Sequence, residues 1–375
     1  MADTPRTRLA TRLSFFVAGL GVASWAPLVP YAKDRVGADE AMLGMLLLCL
    51  GIGSVVSMPL SGGLCGRMGS RFVILLGGLG VAAALPVLAT AGSVPLLAAG
   101  LFLFGASIGA VDVAVNIHGT TVQEAAGVPL MSNFHGMYSV GGLAGSAGMT
   151  ALLSFGALPS AAVWIPTLVV LLCLVLSAPR LLKTKAAGDT PFFVRPRGVV
   201  IVIGVLAGSM FLVEGAMLDW SAVLLESSRG IATEKAGIGF VLFSLAMTVG
   251  RLTGDAVTHV LGGRRILFFG ALLAASGIAL VVFAPWNPLV LAGFVIIGLG
   301  AANMVPVLFT AAGRQKIMSP DLAIAAVSAL GYLGVLIGPA AIGFIAKSIT
   351  LSGAFLVLGV LTLLVGSMSR VVSRD

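Results

Sequence analysis

The chain has 375 residues, of which 58% are hydrophobic and only 10% charged, and its mean hydropathy is +1.11. A soluble protein of this size needs far more charge to cover its surface, so a soluble enzyme is excluded and a polytopic helical membrane protein is indicated. The net charge of +8 does not point to nucleic acid, because the basic residues collect between alternate apolar stretches, as the positive-inside pattern requires.

A spanning helix needs about 20 mostly apolar residues. Cutting at charges, Pro and Gly predicts twelve. The first six are Leu13–Pro30, Met42–Gly63, Phe72–Ala91, Pro95–Gly119, Ser132–Phe155 and Ala161–Ala178. The second six are Gly198–Leu225, Ala236–Ala256, Ile266–Ala284, Leu289–Ala312, Leu322–Ala346 and Gly353–Met368. Arg6, Arg8 and Arg12 precede the first span, which reads as a retained helix and not as a cleaved leader. Cys49 and Cys173 fall inside spans and Cys65 in a short connection, so no disulfide framework is expected. The longest polar connection holds Arg180, Lys183, Lys185, Arg195 and Arg197. It predicts an N-terminal bundle over 1–180, a linker over 181–197 and a C-terminal bundle over 198–375. With cytoplasmic termini, only Lys33, Arg35, Arg229, Lys235 and Lys347 of the 22 Lys and Arg fall outside, which predicts that orientation.

The halves repeat. Gly100 and Gly293, Gly105 and Gly298, Gly141 and Gly334, and Gly145 and Gly338 are each 193 residues apart. Trp25 and Trp220, near the far ends of the first and seventh spans, are 195 apart, as are Gly44 and Gly239. Concordant offsets over several span pairs predict two pseudo-symmetric six-helix bundles, the plan of a two-bundle transporter. The glycine pairs 141/145 and 334/338 predict close helix packing.

Ionisable groups inside spans are the candidates for chemistry, since each costs roughly 2.5–3.5 kcal/mol on insertion scales. Glu214 lies deep in the seventh span, past its middle by residue count and with no charged partner evident, and would bind and release a proton. Asp112 lies in the inner third of the fourth span with Asn116 one turn on. His135 at the start of the fifth span could approach them, with His118 less well aligned. Together they suggest a proton relay, because histidine titrates near neutrality. The alternative for Asp112 is a structural hydrogen bond near the membrane surface. Asp219 and Trp220 sit closer to the far interface. Trp220 and Trp25 read equally as interfacial anchors or as stacking platforms for a solute. Tyr138 adds a polar aromatic group in the fifth span. Asn303, with Pro306 nearby, predicts a polar contact at a kink in the tenth span, and Pro27, Pro30 and Pro339 predict bends elsewhere. No Lys or Arg reads as mid-span, which disfavours phosphorylated or strongly anionic solutes.

The stretch Gly62-Gly63-Leu64-Cys65-Gly66-Arg67-Met68-Gly69-Ser70-Arg71 resembles the loop motif G-x-x-x-D-R-x-G-R-R of the major facilitator superfamily. Gly250-Arg251-Leu252-Thr253-Gly254-Asp255, continuing to Gly262-Gly263-Arg264-Arg265, resembles its second copy. Span count, central loop and repeat extend the resemblance over the whole chain. It implies a gating-loop role for Gly62, Arg67, Gly69, Arg71, Arg251, Asp255 and Arg265. Gly66 stands where the family carries Asp, so the latch formed by that Asp is not expected in the first copy. The alternative for Arg67 and Arg71 is topology anchoring. Asp112-Val-Ala-Val-Asn116-Ile-His118, the run from Pro129 through His135 to Gly142, and Glu214-Gly-Ala-Met-Leu-Asp219-Trp220 resemble the YbjJ-type branch of bacterial inner-membrane permeases, distantly similar to fucose permeases. In this superfamily helices one, four, seven and ten line the central cavity, which would put Asp112 and Glu214 on cavity helices.

The expected function is secondary active transport of a small polar neutral or cationic solute by alternating access, coupled to protons, in the inner membrane. The expected partners are the solute, the proton and the lipid bilayer, with no cofactor and a monomeric chain. A drug or metabolite efflux antiporter is the rival within transport, but the fifth span reads Gly145-Ser146 where such antiporters carry Gly-Pro. The sequence also leaves open a passive uniporter and, from a different class, a non-transporting membrane sensor.

Overall fold

A computed structural model describes residues 4–127, 130–182, 196–318 and 320–372, without the side chains of Ser132, Asp255, Pro320, Asp321 and Ala325. Most of the connection expected over 181–197 therefore lies outside the described residues, including Lys183, Lys185 and Arg195, as does Pro129. Among the described residues every regular element is a helix.

By contacts the chain divides into two compact units. The first is Met1–Ala38, Leu46–Thr190 and Ala232–Gly237; the second is Asp39–Met45, Pro191–Ile231 and Ile238–Asp375. In chain order the first half holds α1 (Pro5–Trp25), α2 (Val29–Val36), α3 (Glu40–Met68), α4 (Ser70–Thr90), α5 (Val94–Ala126), α6 (Met131–Ser154), α7 (Pro159–Ala162) and α8 (Trp164–Ser177). The second holds α9 (Val199–Arg229), α10 (Thr233–Ala236), α11 (Ile238–Leu252), α12 (Gly254–Leu261), α13 (Gly263–Phe283), α14 (Asn287–Ala301), α15 (Met304–Arg314), α16 (Pro320–Ser348), α17 (Leu351–Ser367) and α18 (Ser369–Val372).

Among the described residues, ten helical stretches are long and apolar enough to cross a bilayer. The 17-residue α17 is apolar but shorter, and α6 carries Asn133, His135 and several glycines. With these two the twelve predicted helices are present. The first span changes its winding where Pro27 stands. A 3-10 turn at Ala26–Leu28, containing Pro27, joins α1 to α2, and the helix then runs on to Val36, six residues beyond the predicted end. The tenth span breaks at Ala302–Asn303, between α14 and α15.

Each unit repeats the same pairing. In the first, α1 packs on α6 and α4 on α5; in the second, α9 packs on α16 and α13 on α14. The predicted glycine pairs make the first of these contacts in each case. A Cβ at Gly141 would overlap the Phe16 carbonyl, and one at Gly145 would lie 2.5 Å from the Leu20 carbonyl oxygen. A Cβ at Gly334 would overlap the Gly208 carbonyl. Backbone meets backbone at these points, which gains dispersion contact where lipid supplies no hydrophobic drive between helices.

The joints between successive spans are equally economical. Gly69 (φ +89°) alone separates α3 from α4, and Gly262 (φ +76°) alone separates α12 from α13. A residue with a Cβ is strained in that region.

Two arginines that read as plain loop charges in the sequence have a structural task. Arg35 donates from Nε to the Ala91 carbonyl at 2.8 Å and from Nη2 to the Leu88 carbonyl at 2.7 Å. Arg229, 194 residues later, donates to the carbonyls of Ala284 (3.0 Å), Val281 (2.6 Å) and Val282. Each guanidinium closes the C-terminal end of a helix, α4 and α13, where free carbonyls and the helix dipole both call for positive charge.

Substituting Gly334 by Val should cost roughly 1–3 kcal/mol, because the obstructing atoms are backbone and cannot yield. Gly62→Ala, with open space around its Cβ position, should be neutral; thermal midpoints of the two purified variants decide this. A second test concerns Asp39 in the second unit. Its carboxylate accepts the Met42 amide at 2.8 Å and pairs with Lys347 Nζ at 3.0 Å. The amide bond first, and Lys347 second, hold it below the usual carboxylate range. A depressed carboxylate contributes stability at neutral pH that is lost as pH falls through its folded value. Asp39→Asn should therefore lower the thermal midpoint slightly near pH 7, with the difference closing on acidification. A gap that widens toward acid would contradict this.

Candidate functional site

The polar centre of the second unit is built from α9, α11 and the break in the tenth span. Helix α9 is an apolar 31-residue rod closed by Gly230 in the left-handed region. Glu214 has fifteen residues of that helix on either side, so it stands about 22 Å from each end at ~1.5 Å per residue. That is the centre of α9 and not beyond it, as the sequence suggested.

Glu214 is not alone. Arg251 Nη2 lies 2.9 Å from its Oε1 and 3.0 Å from its Oε2. The side chains of Arg251 and Glu214 are 38% and 19% exposed. This corrects two expectations. Glu214 has a charged partner, and a cation does lie within a spanning helix. It also corrects the placement of Arg251 in a gating loop. The residue belongs to the last turn of α11, eleven residues before the Gly262 joint. The motif places it by local spelling, whereas its side chain is committed to α9.

Two helix interruptions meet beside this pair. The eighth span breaks at Thr253 between α11 and α12, and the tenth breaks at Ala302–Asn303. Asn303 Nδ2 donates to the Gly250 carbonyl at 3.0 Å, and Arg251 Nε approaches the Ala302 carbonyl at 3.4 Å. Side chains from each break thus serve carbonyls of the other, as buried irregular backbone in a membrane requires. A Cβ at Gly254 would overlap Asn303 Oδ1, so the fit depends on glycine there. Asn303 accordingly makes the polar contact at the kink that the sequence predicted. One turn before Glu214, Phe211 packs on Phe309 (centroids 6.4 Å apart, 77°) and on Tyr332 (6.5 Å, 14°). Sequence reading did not single out these three. An aromatic at i−3 from the central acid was the available signal.

Asp219, Trp220 and Trp25 are enclosed by protein. Asp219 is 7% exposed and both tryptophans 0%. Neither tryptophan is an interfacial anchor; Trp164 at 51% and Trp286 at 69% are exposed instead. The indole nitrogens of Trp25 and Trp220 find no hydrogen-bond partner among the described residues.

In the first unit, Asn116 Nδ2 donates to the Asp112 carbonyl at 2.8 Å and reaches Asp112 Oδ1 at 3.4 Å. These two predicted residues therefore meet within α5. His135 stands edge-on to Phe15 of α1, with centroids 5.1 Å apart, and Tyr138 lends its carbonyl to the close approach at Gly19. His118 is fully buried and holds structure together. Its Nε2 accepts the Leu182 amide at 2.9 Å, and its Nδ1 lies 3.2 Å from Thr11 Oγ1. The Thr11 hydroxyl already donates to the Thr7 carbonyl, so the ring proton sits on Nδ1. Both ring nitrogens are occupied, and His118 pins the start of the central connection to α5.

The loop-motif residues flank the two joints. Gly62 and Arg67 lie in the last turns of α3, and Gly69 is the joint itself. Arg71 opens α4 and Arg265 opens α13. Arg67 and Arg265 are exposed, and Arg71 is half-buried. The Asp255 side chain is outside the described residues.

A family model described as Major Facilitator Superfamily matches residues 13–312 and 207–374. An uncharacterised MFS-type transporter of Yersinia pestis is 46% identical over 368 residues, covering 98% of this chain and 96% of that one. Among solved structures, the D323A mutant of the nucleoside transporter NupG superposes with a TM-score of 0.80 at 12% identity, covering 98% of this chain and 100% of NupG. A D-xylose–proton symporter gives 0.76 at 16% identity, covering 97% and 96%. At those identities the two structures speak for the fold alone.

The ion pair makes a specific prediction. Removing one partner of a partly buried pair strands the other charge, whereas removing both does not. Arg251→Met or Glu214→Gln alone should each cost roughly 1–3 kcal/mol, less than a fully buried pair because both groups keep solvent contact. The double variant should cost less than either single one. Thermal midpoints of the four proteins measure this, and simple additivity would show that the pair carries no coupling.

Proposed function

This chain belongs to the Major Facilitator Superfamily, and we propose that it is a secondary active transporter that carries a small polar, neutral or cationic solute by alternating access, coupled to protons. It is a multi-pass membrane transport protein and not an enzyme. We place it in a bacterial inner membrane, with both termini cytoplasmic on the Lys and Arg distribution, and in the YbjJ-type branch on the motifs around Asp112, His135 and Glu214.

The observation that carries the reading is the Glu214–Arg251 pair. Charges at mid-depth in spanning helices are expensive in lipid and face a water-filled path or a bundle interior. This pair keeps partial exposure at the centre of α9, with Phe211, Phe309 and Tyr332 alongside. A solute with polar groups and one apolar face suits that combination: hydrogen bonds to the pair, ring contact with the aromatics. The pair is net neutral, so it offers no unbalanced positive charge for a strongly anionic solute. Nucleoside and D-xylose, named for the two structural neighbours, are solutes of this general kind. One neighbour is named as a proton symporter, which agrees with coupling.

Candidate solutes follow from a thermal-shift screen of metabolites on the purified protein, since a ligand stabilises the state it binds. In proteoliposomes the best binder should accumulate under an imposed pH gradient, and a protonophore should abolish that accumulation. Glu214→Gln should lower the initial rate at least tenfold. Equilibration without accumulation would instead identify a uniporter, and an unchanged rate in Glu214→Gln would remove the pair from the transport path.

A further inference from the structure

The C-terminal half of α9 differs from its N-terminal half. Ile201 is 45% and Val205 55% exposed, whereas Met217 and every residue from Asp219 to Leu225 are buried. Inside that buried stretch stand three consecutive polar side chains, Asp219, Trp220 and Ser221. Asp219 Oδ1, Trp220 Nε1 and Ser221 Oγ have no hydrogen-bond partner among the described residues. Buried polar groups without partners are few in native proteins, and each asks for a reason. Successive side chains on a helix diverge by about 100°, so these three do not share one pocket. The tryptophan and the serine each leave a neutral donor unmet. The aspartate is the only one of the three that carries a formal charge when ionised.

The cations on the helices around it are engaged or distant. Arg251 of α11 is bound to Glu214. Arg229, farther along α9, is bound to the carbonyls that end α13. Lys347 of α16 is paired with Asp39. Arg314 ends α15 a few residues before Ile317, which packs at Gly198 before the start of α9, so it belongs some 30 Å from Asp219 at ~1.5 Å per residue. Arg370 belongs to α18, after the end of the twelfth span. Helices α14 and α17 carry no charged residue. The acidic neighbours on α9 are Glu214, at i−5, and Glu226, at i+7; the Asp321 side chain of α16 is outside the described residues. The buried Asp219 Oδ1 meets no ion pair or hydrogen bond among the described residues. An ionised carboxylate there would be an uncompensated charge, which membrane interiors do not hold.

We infer that Asp219, and not the ion-paired Glu214, is the group that takes up and releases the coupled proton. This deepens the reading of the preceding section and rests on it. Glu214 is a poor proton carrier because neutralising it would strand Arg251. Asp219 has no such tie. In the buried state its carboxyl carries the proton. When the C-terminal half of α9 opens to water, the O–H bond breaks, the proton passes to water and the carboxylate is hydrated. Reprotonation from water restores the acid, and no other bond changes. Glu214 and Arg251 then hold solute while Asp219 holds the proton, about one and a half turns apart on the same helix. The repeat supports separate specialisation: Ser24 stands 195 residues before Asp219, as Trp25 does before Trp220. The duplicated scaffold thus does not need an acid at this place.

Infrared spectroscopy of the full chain in lipid vesicles, titrated with pH, tests this without a known solute. Wild type should show the C=O stretch of a protonated carboxylic acid at neutral pH. Asp219→Asn should lose it and Glu214→Gln should retain it. If the band is absent in wild type, or survives in Asp219→Asn, the assignment is overturned. If sodium ions displace the band at constant pH, the site is a cation site and the proton assignment is equally overturned. Should Asp219→Asn fail to fold, Asp219→Glu keeps an acid on a longer arm and must shift the band and its titration midpoint; an unmoved band refutes the assignment. The two readings fail separately. A Glu214→Gln protein that transports normally but keeps the Asp219 band sinks the solute station alone. A missing band with intact gradient-driven accumulation sinks the proton site alone.

Discussion

In a bilayer a polar group must find its partner within the chain, and this one requirement organises the structure. Lipid offers no hydrogen bonds to a free carbonyl and no hydration to a charge. Helix ends, helix breaks and ionisable side chains are therefore the places where sequence has least freedom. Arg35 and Arg229 cover the carbonyls that α4 and α13 leave open. Asn303 covers a carbonyl at the break beside α11, and Arg251 balances Glu214. Apolar packing does the rest, and it does so by bringing glycine backbone against backbone at Gly141 and Gly334.

The scaffold was legible because its signals are periodic or repeated. Apolar length predicts the spans, and offsets near 193 predict the duplicated helix pairs that the contacts display. The same offset would have revealed the arginine caps, since Arg35 and Arg229 are 194 apart and the carbonyls they reach, Leu88 and Val281 or Ala91 and Ala284, are 193 apart. Reading those residues only as charges on the minority side concealed it.

The site was less legible because its partners are remote in sequence. Glu214 and Arg251 are separated by 37 residues and by a change of helix. Nothing local to either residue announces the pair. A loop motif drew Arg251 toward the Gly262 joint, whereas its side chain is committed to Glu214 of α9. The tryptophans stayed open between two readings for a different reason. Position near a span end suits an interfacial anchor, but burial depends on what packs around the end. Trp25 and Trp220 are enclosed, while Trp164 and Trp286 meet the surroundings.

Duplication and chemistry follow different rules here. The helix pairs, the one-residue joints at Gly69 and Gly262, and the arginine caps all occur twice. The central polar groups occur once. Matched through the equivalent glycine contacts, which set Phe16 against Gly208 and Gly141 against Gly334, Glu214, Arg251 and Asn303 correspond to Val22, Met58 and Ala110. The first unit carries apolar residues at all three of these places. The acid–base pair is thus a departure from the repeat, tolerated because breaks in two neighbouring helices supply the backbone and side-chain groups that keep it compensated.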